Sequence, residues 1–141
     1  MIAAVDGLEF HHLGVACERI AAEIEVWAGL GYRPEGEAFV DAAQGVRGLF
    51  MVGGGPRIEL LEATENSRTL EPWLKRSVKF YHSGYFVPDL AAAIAALEAR
   101  GASIARPPAR SAYFGGAIAF LLMPNLALIE LIEGAPPGGP K

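Results

Sequence analysis

The amino-acid sequence predicts an α+β fold built from two tandem βαβββ modules. Three observations carry that prediction. First, the chain repeats itself: His12 and Gly14 in "HLGV" recur as His82 and Gly84 in "HSGY", 70 positions later. At the same offset Ala21, Ala22, Ile24 and Gly31 recur as Ala91, Ala92, Ile94 and Gly101, and "IELLE" at 58–62 returns as "IELIE" at 129–133. Second, each half opens with a strand-like run followed by one helical segment. Third, three strand-like runs joined by short turns follow each helix. Helices alternating singly with strands would indicate a parallel sheet. Three consecutive strands favour a mixed or antiparallel sheet with the helices on one face.

The elements follow in order. Residues 9–16, "EFHHLGVA", read as a strand. Next, Ile20, Ile24 and Trp27 recur at helical spacing, and Gly29 and Gly31 supply the stop. Strands are predicted near 32–40, 45–52 and 57–62, with "VGGGP" at 52–56 between the last two. That glycine run lacks the Lys-Ser/Thr of a phosphate loop and reads as a hairpin turn. "TLEPWLKR" at 69–76 predicts a brief helix with Pro72 in its first turn. "FYHSGYFV" at 80–87 reads as a strand, and "PDLAAAIAALEARG" at 88–101 as a helix opened by Pro88 and Asp89 and closed by Gly101. Strands near 102–106, 116–123 and 126–133 complete the second half, with "PPARSAYFGG" as a loop and "PN" at 124–125 as a turn. Residues 1–135 are thus expected to form one domain, with module one at about 8–66 and module two at about 78–134. The Pro/Gly segment at 136–141 reads as a disordered tail.

Composition narrows the function classes. The chain has 141 residues, is 52% hydrophobic and 20% charged, and carries a net charge of −4, so it is globular rather than disordered. Nucleic-acid domains carry a basic stripe, and none is present. Arg68, Lys75, Arg76 and Lys79 form the one loose basic cluster; it reads as a solvated helix face, with contact to an anionic substrate tail as the alternative. No segment reaches the ~20 apolar residues that span a membrane. Cys17 is the single cysteine, so no internal disulfide forms and it reads as a small buried residue. No signal peptide is recognisable, and the expected location is cytoplasmic.

The repeat selects four residues. "HHLGV" places His11 and His12 on opposite faces of a strand. Only His12 has a histidine counterpart in the second half, His82. Small neighbours, Gly14 and Ala16 beside His12 and Gly84 beside His82, leave room for a ligand. His11 shares its face with Leu13 and Val15, which are expected to pack against the helix. Glu59 and Glu130 each lie among large aliphatic residues in strong strand formers. A carboxylate inside a sheet costs several kcal/mol unless paired or metal-bound. Two imidazoles and two carboxylates form an N₂O₂ set suited to Zn²⁺, Ni²⁺, Co²⁺, Fe²⁺ or Mn²⁺. Glu62 and Glu133 repeat as well, and read as exposed charges at strand ends.

The stretches "HHLGVA" at 11–16, "IELLEA" at 58–63, "YHSGYFVPDL" at 81–90, "IAFLLMPN" at 118–125 and "ALIELIE" at 127–133 resemble the vicinal oxygen chelate superfamily. Within it the chain is similar to the glyoxalase I and methylmalonyl-CoA epimerase-like branch. The resemblance spans residues 9–133. It implies a curved, cup-shaped mixed sheet with helices on the outer face, closed around one divalent metal ion. By position the ligands fall on His12, Glu59, His82 and Glu130, a set like that of bacterial glyoxalase I. The implied activity is metal-assisted proton abstraction next to a carbonyl or thioester, through an enolate or enediolate. Glu130 is then the base, with Glu59 available on the opposite face. The epimerases usually carry Gln where Glu59 stands. They also carry a second, non-ligand Glu about where this chain has Gly48, so a two-base epimerisation here needs Glu59.

Pocket walls are expected from Phe50, Phe86, Tyr113, Phe114 and Phe120, with Tyr113 and Phe114 placed beside two glycines in a loop. Gln44 reads as a polar turn residue. The expected partner is a small-molecule substrate, and the resemblance implies a homodimer, the commonest oligomer in general. Two other readings share the fold. A non-haem iron dioxygenase would use His12, His82 and Glu130 as a facial triad, with Glu59 crowding the open positions. A metal-free binding protein of the resistance type would have no need for the ligand set.

Overall fold

A computed structural model of the chain describes residues 4–136. They form two compact units, residues 12–81, and residues 4–11 with 82–136. The division runs through the first strand, between His11 and His12. The fold is α+β, with eight strands and three helices among the described residues. The elements are β1 (Glu9–Ala16), α1 (Ile20–Ala28), β2 (Arg33–Asp41), β3 (Val46–Val52), β4 (Ile58–Ala63) and α2 (Glu71–Lys75), then β5 (Phe80–Val87), α3 (Leu90–Glu98), β6 (Ser103–Arg110), β7 (Ala117–Leu122) and β8 (Leu128–Glu133). Each half reads βαβββ, as the repeat predicts. No helix among the described residues is long and apolar enough to cross a membrane.

In the unit of residues 12–81 the strands run in the order β2-β3-β4-β1. β3 is antiparallel to β2 and β4, and β1 is parallel to β4 with Gly14 opposite Glu59. α1 covers one face. Ile20, Ile24 and Trp27 pack on Leu13, Val15, Leu49, Met51, Ile58 and Leu60. Each large aliphatic side chain buried this way contributes about 1.5–3 kcal/mol. Gly31 then takes φ +85°, which stops the helix. In "VGGGP" the Tyr32 side chain lies across the turn and its hydroxyl donates to Pro56 O at 2.7 Å. A Cβ on Gly53 or Gly55 would collide with that side chain, which explains the glycines.

The second unit repeats the scheme. β7 is antiparallel to β6 and β8, and β5 is parallel to β8 with Gly84 opposite Glu130. Leu90, Ala93, Ile94 and Leu97 of α3 pack on Val87, Ala119, Leu121 and Leu131. The Asp89 carboxylate caps α3 by accepting from Ala92 N at 3.0 Å.

Several expectations need correction. β6 continues through Pro107 and Pro108 to Arg110, where the sequence predicts a loop. Proline removes a ladder donor, but β6 is an edge strand with irregular register, where that loss is tolerated. Glu62 and Glu133 are not idle surface charges. Glu62 accepts from Ile20 N at 2.8 Å and Glu133 from Leu90 N at 2.9 Å, so each carboxylate caps its module's helix. Of the basic cluster, Lys79 is not simply solvated, because it donates to the buried Glu23 at 2.8 Å. The tail predicted at 136–141 lies, beyond Pro136, outside the described residues.

Candidate functional site

Each unit buries one imidazole against one carboxylate. In residues 12–81, strand alternation sends Leu13 and Val15 towards α1 and His12 to the other face. The parallel register brings Gly14 beside Glu59. His12 Nε2 lies 3.2 Å from Glu59 Oε1, and the two residues are 0% and 6% exposed. Phe50, directly across from Glu59 on β3, packs edge-on to the His12 ring with centroids 5.2 Å apart. Phe39 stacks on Phe50 at 5.7 Å and lies over Gly48, its cross-strand partner on β3.

The other unit has the same constellation. His82 Nε2 lies 3.3 Å from Glu130 Oε1, with both residues buried. Phe120 is directly across from Glu130 and edge-on to His82, again at 5.2 Å. The flanking pair differs: where module one has Phe39 opposite Gly48, module two has Ala109 opposite Ile118. Large and small side chains exchange strands between the two modules.

This donor chemistry fits a divalent metal. A carboxylate buried beside an imidazole and phenyl rings is costly as a charge unless a cation or hydrogen bonds balance it. His12, Glu59, His82 and Glu130 are residues that could hold a metal ion. Imidazole nitrogen and carboxylate oxygen are the ligand types that Zn²⁺, Ni²⁺, Co²⁺, Fe²⁺ and Mn²⁺ accept.

A sequence profile of the glyoxalase/bleomycin resistance protein/dioxygenase superfamily matches residues 11–120. The chain belongs to this superfamily. Among solved structures, it is similar to a hypothetical protein of Bacillus halodurans, with 25% identity over 96% of this chain and 100% of the other, and a TM-score of 0.78. A methylmalonyl-CoA epimerase from Mycobacterium tuberculosis has 25% identity over 91% of this chain and 89% of its own, with a TM-score of 0.74. A Streptomyces coelicolor methylmalonyl-CoA epimerase variant in complex with 2-nitronate-propionyl-CoA has 26% identity over 95% and 100%, also with a TM-score of 0.74. No curated protein matches the sequence.

Within this superfamily member the remaining expected site residues divide. Phe50 and Phe120 sit beside the two imidazoles, as described. Phe86 is buried with Ile118, Phe120 and Ile132, and Phe114 packs against that cluster. Tyr113, 44% exposed, sets its ring edge-on to Phe114 at 4.9 Å. Phe114 N donates to Ser111 Oγ at 3.0 Å, which ties down this loop. Gln44 belongs to its turn, where its side chain donates to Asp41 at 2.6 Å.

Two residues were missed. One is His11. It is buried edge-on to Phe86 at 5.1 Å and Phe114 at 5.6 Å, within the unit that holds His82. Its counterpart at the repeat offset is Tyr81, so the repeat gives no signal for it. Phe39 was missed because only the β2–β3 register reveals that it lies over Gly48.

Proposed function

We propose that the chain is a metal-dependent enzyme of the isomerase or epimerase type. It would move a proton on the carbon next to a carbonyl or thioester, with both modules working as one domain. In this reading His12, Glu59, His82 and Glu130 together hold one divalent ion. The observation that carries it is the repeated pair: each unit, taken alone, buries an imidazole against a carboxylate at matching strand register. The bound ion would supply Lewis-acid stabilisation of negative charge developing on the substrate.

The chain's own groups do the rest. Glu130 accepts the proton from the carbon acid, and Glu59 serves the opposite face. Phe50 and Phe120 exclude water around the pairs, which strengthens each electrostatic contact there. β3 carries no carboxylate, and Phe39 covers Gly48, so that strand supplies no additional base. The likeness to epimerases, one of them bound to a propionyl-CoA analogue, supports an acyl-CoA ester as the substrate class. The superfamily resemblance further supports a homodimer, which sedimentation tests.

The deciding experiment measures the metal content of untagged protein by plasma mass spectrometry, beside Glu130→Gln. About one transition metal per chain, sharply reduced in the variant, is the expected result for a four-ligand site. Acyl-CoA esters and 2-oxo hemithioacetals are then screened for proton exchange in D₂O. Iron as the dominant metal would favour the dioxygenase reading. No metal after reconstitution with Zn²⁺, Co²⁺, Ni²⁺ and Mn²⁺ would overturn the proposal and leave a binding protein.

A further inference from the structure

We propose that Phe50 and Phe120 are positioning residues that set the ring planes of His12 and His82 for metal binding. This rests on the metal reading above. An imidazole turns broadly about its Cβ–Cγ bond, so its own rotamer preference does not fix the ring plane. In each unit two neighbours constrain it. The carboxylate lies within 3.2 Å of Nε2 of His12 and within 3.3 Å of Nε2 of His82. The phenyl ring, directly across the ladder from that carboxylate, packs at 80° to the His12 ring and at 85° to the His82 ring.

The repeat separates this role from ordinary packing. Phe50 and Phe120 are themselves 70 positions apart, the offset that relates the two histidines. The neighbouring inward position is not kept: Gly48 in one module stands where the other has Ile118. Filling space alone tolerates that exchange, whereas the ring beside the imidazole is present in both. Each ring is also braced. Phe39 stacks on Phe50 at an interplanar angle of 23°, while Phe120 is held among Phe86, Ile118 and Ile132. A braced ring presents a fixed surface, and a fixed surface leaves the imidazole one plane to occupy.

The test uses metal-free protein titrated with Co²⁺, reading affinity by chelator competition and geometry by the visible absorption of the Co²⁺ protein. Phe50→Leu and Phe120→Leu are compared with Leu60→Val and Leu131→Val, which trim the helix-facing side of the adjacent strands. Groups that orient metal ligands typically account for 10–100-fold in metal affinity, and a loss of about that size is expected in both phenylalanine variants. Their Co²⁺ spectra are expected to change, while the valine variants lose thermal stability without a change in affinity or spectrum. Where a leucine variant does not fold, Phe50→Met or Phe120→Met fills similar space without a ring. Wild-type protein that binds Co²⁺, with leucine or methionine variants of the same affinity and spectrum, overturns this proposal alone. Wild-type protein that binds no Co²⁺, Zn²⁺, Ni²⁺ or Mn²⁺ overturns the metal reading and this one with it.

Discussion

The Phe39 ring on β2 lies over Gly48 on β3 and fills the place a side chain at position 48 would take. A Cβ there would collide with the ring, and Phe39 cannot retreat freely because it is stacked on the buried Phe50. Gly48→Ala is therefore expected to destabilise the fold by about 1–3 kcal/mol, the usual range for overpacking. Urea denaturation measures it. With Phe39→Ala already present, the same Gly48→Ala change is expected to become nearly neutral, because the two sites share one space. Equal costs in both backgrounds would show that the ring is not the obstacle.

The helix caps predict a second pattern. Glu62→Ala and Glu133→Ala each remove the acceptor of a first-turn N–H, at an expected cost of about 1 kcal/mol. Glu62 also meets Arg47 at 3.0 Å, but Arg47 is half-exposed. Arg47→Ala is expected to cost no more than a few tenths of a kcal/mol, as exposed pairs do. Amide exchange at Ile20 should quicken in Glu62→Ala and stay unchanged in Arg47→Ala.

Metal binding and stability are linked. A metal supplied at 100 times its Kd adds about 2.7 kcal/mol to the unfolding free energy of a protein that binds it only when folded. Scanning calorimetry of metal-free and metal-loaded protein is expected to show that gain, with Glu59→Gln and Glu130→Gln losing most of it. A gain that survives both substitutions would place the ion elsewhere.

The Cys17 thiol is expected to be inert. It donates to Leu61 O at 3.3 Å, and burial, with Glu23 adding to it, pushes the thiol up to about 12 from an ordinary 9.0. A thiol-specific chromogenic reagent at pH 8 should react only as fast as the protein unfolds, and promptly in urea. The sign of the linkage follows. The folded thiol holds its proton more tightly than the unfolded one, so its contribution is fully present below pH 9 and is lost as pH rises towards 12. Prompt labelling of the native protein would contradict the burial.

Much of this chain was legible before folding because it is duplicated. Repeated "HxG" and "IEL" segments located the strands that carry both histidines and both glutamates, and alternation separated His12 from Leu13 and Val15. Glu62 and Glu133 were misread for a physical reason. Alternation reports which face a side chain leaves from, but not that the helix earlier in its module begins within reach of its carboxylate. The prolines of β6 misled likewise, since proline argues against a strand only where both sides of the strand are paired.

The sequence by itself determined the α+β class, the βαβββ order of each half and the residue types offered to a metal, because periodicity and repetition are properties of the linear chain. Tertiary structure alone decided which neighbour each of those residues meets. His11 went to Phe86 and Phe114, Phe39 went over Gly48, and one phenyl ring came to rest against each imidazole. These are cross-strand and loop contacts, some across a hairpin and others between positions distant in sequence. They depend on register, and register is set by the packing of whole strands rather than by any local preference.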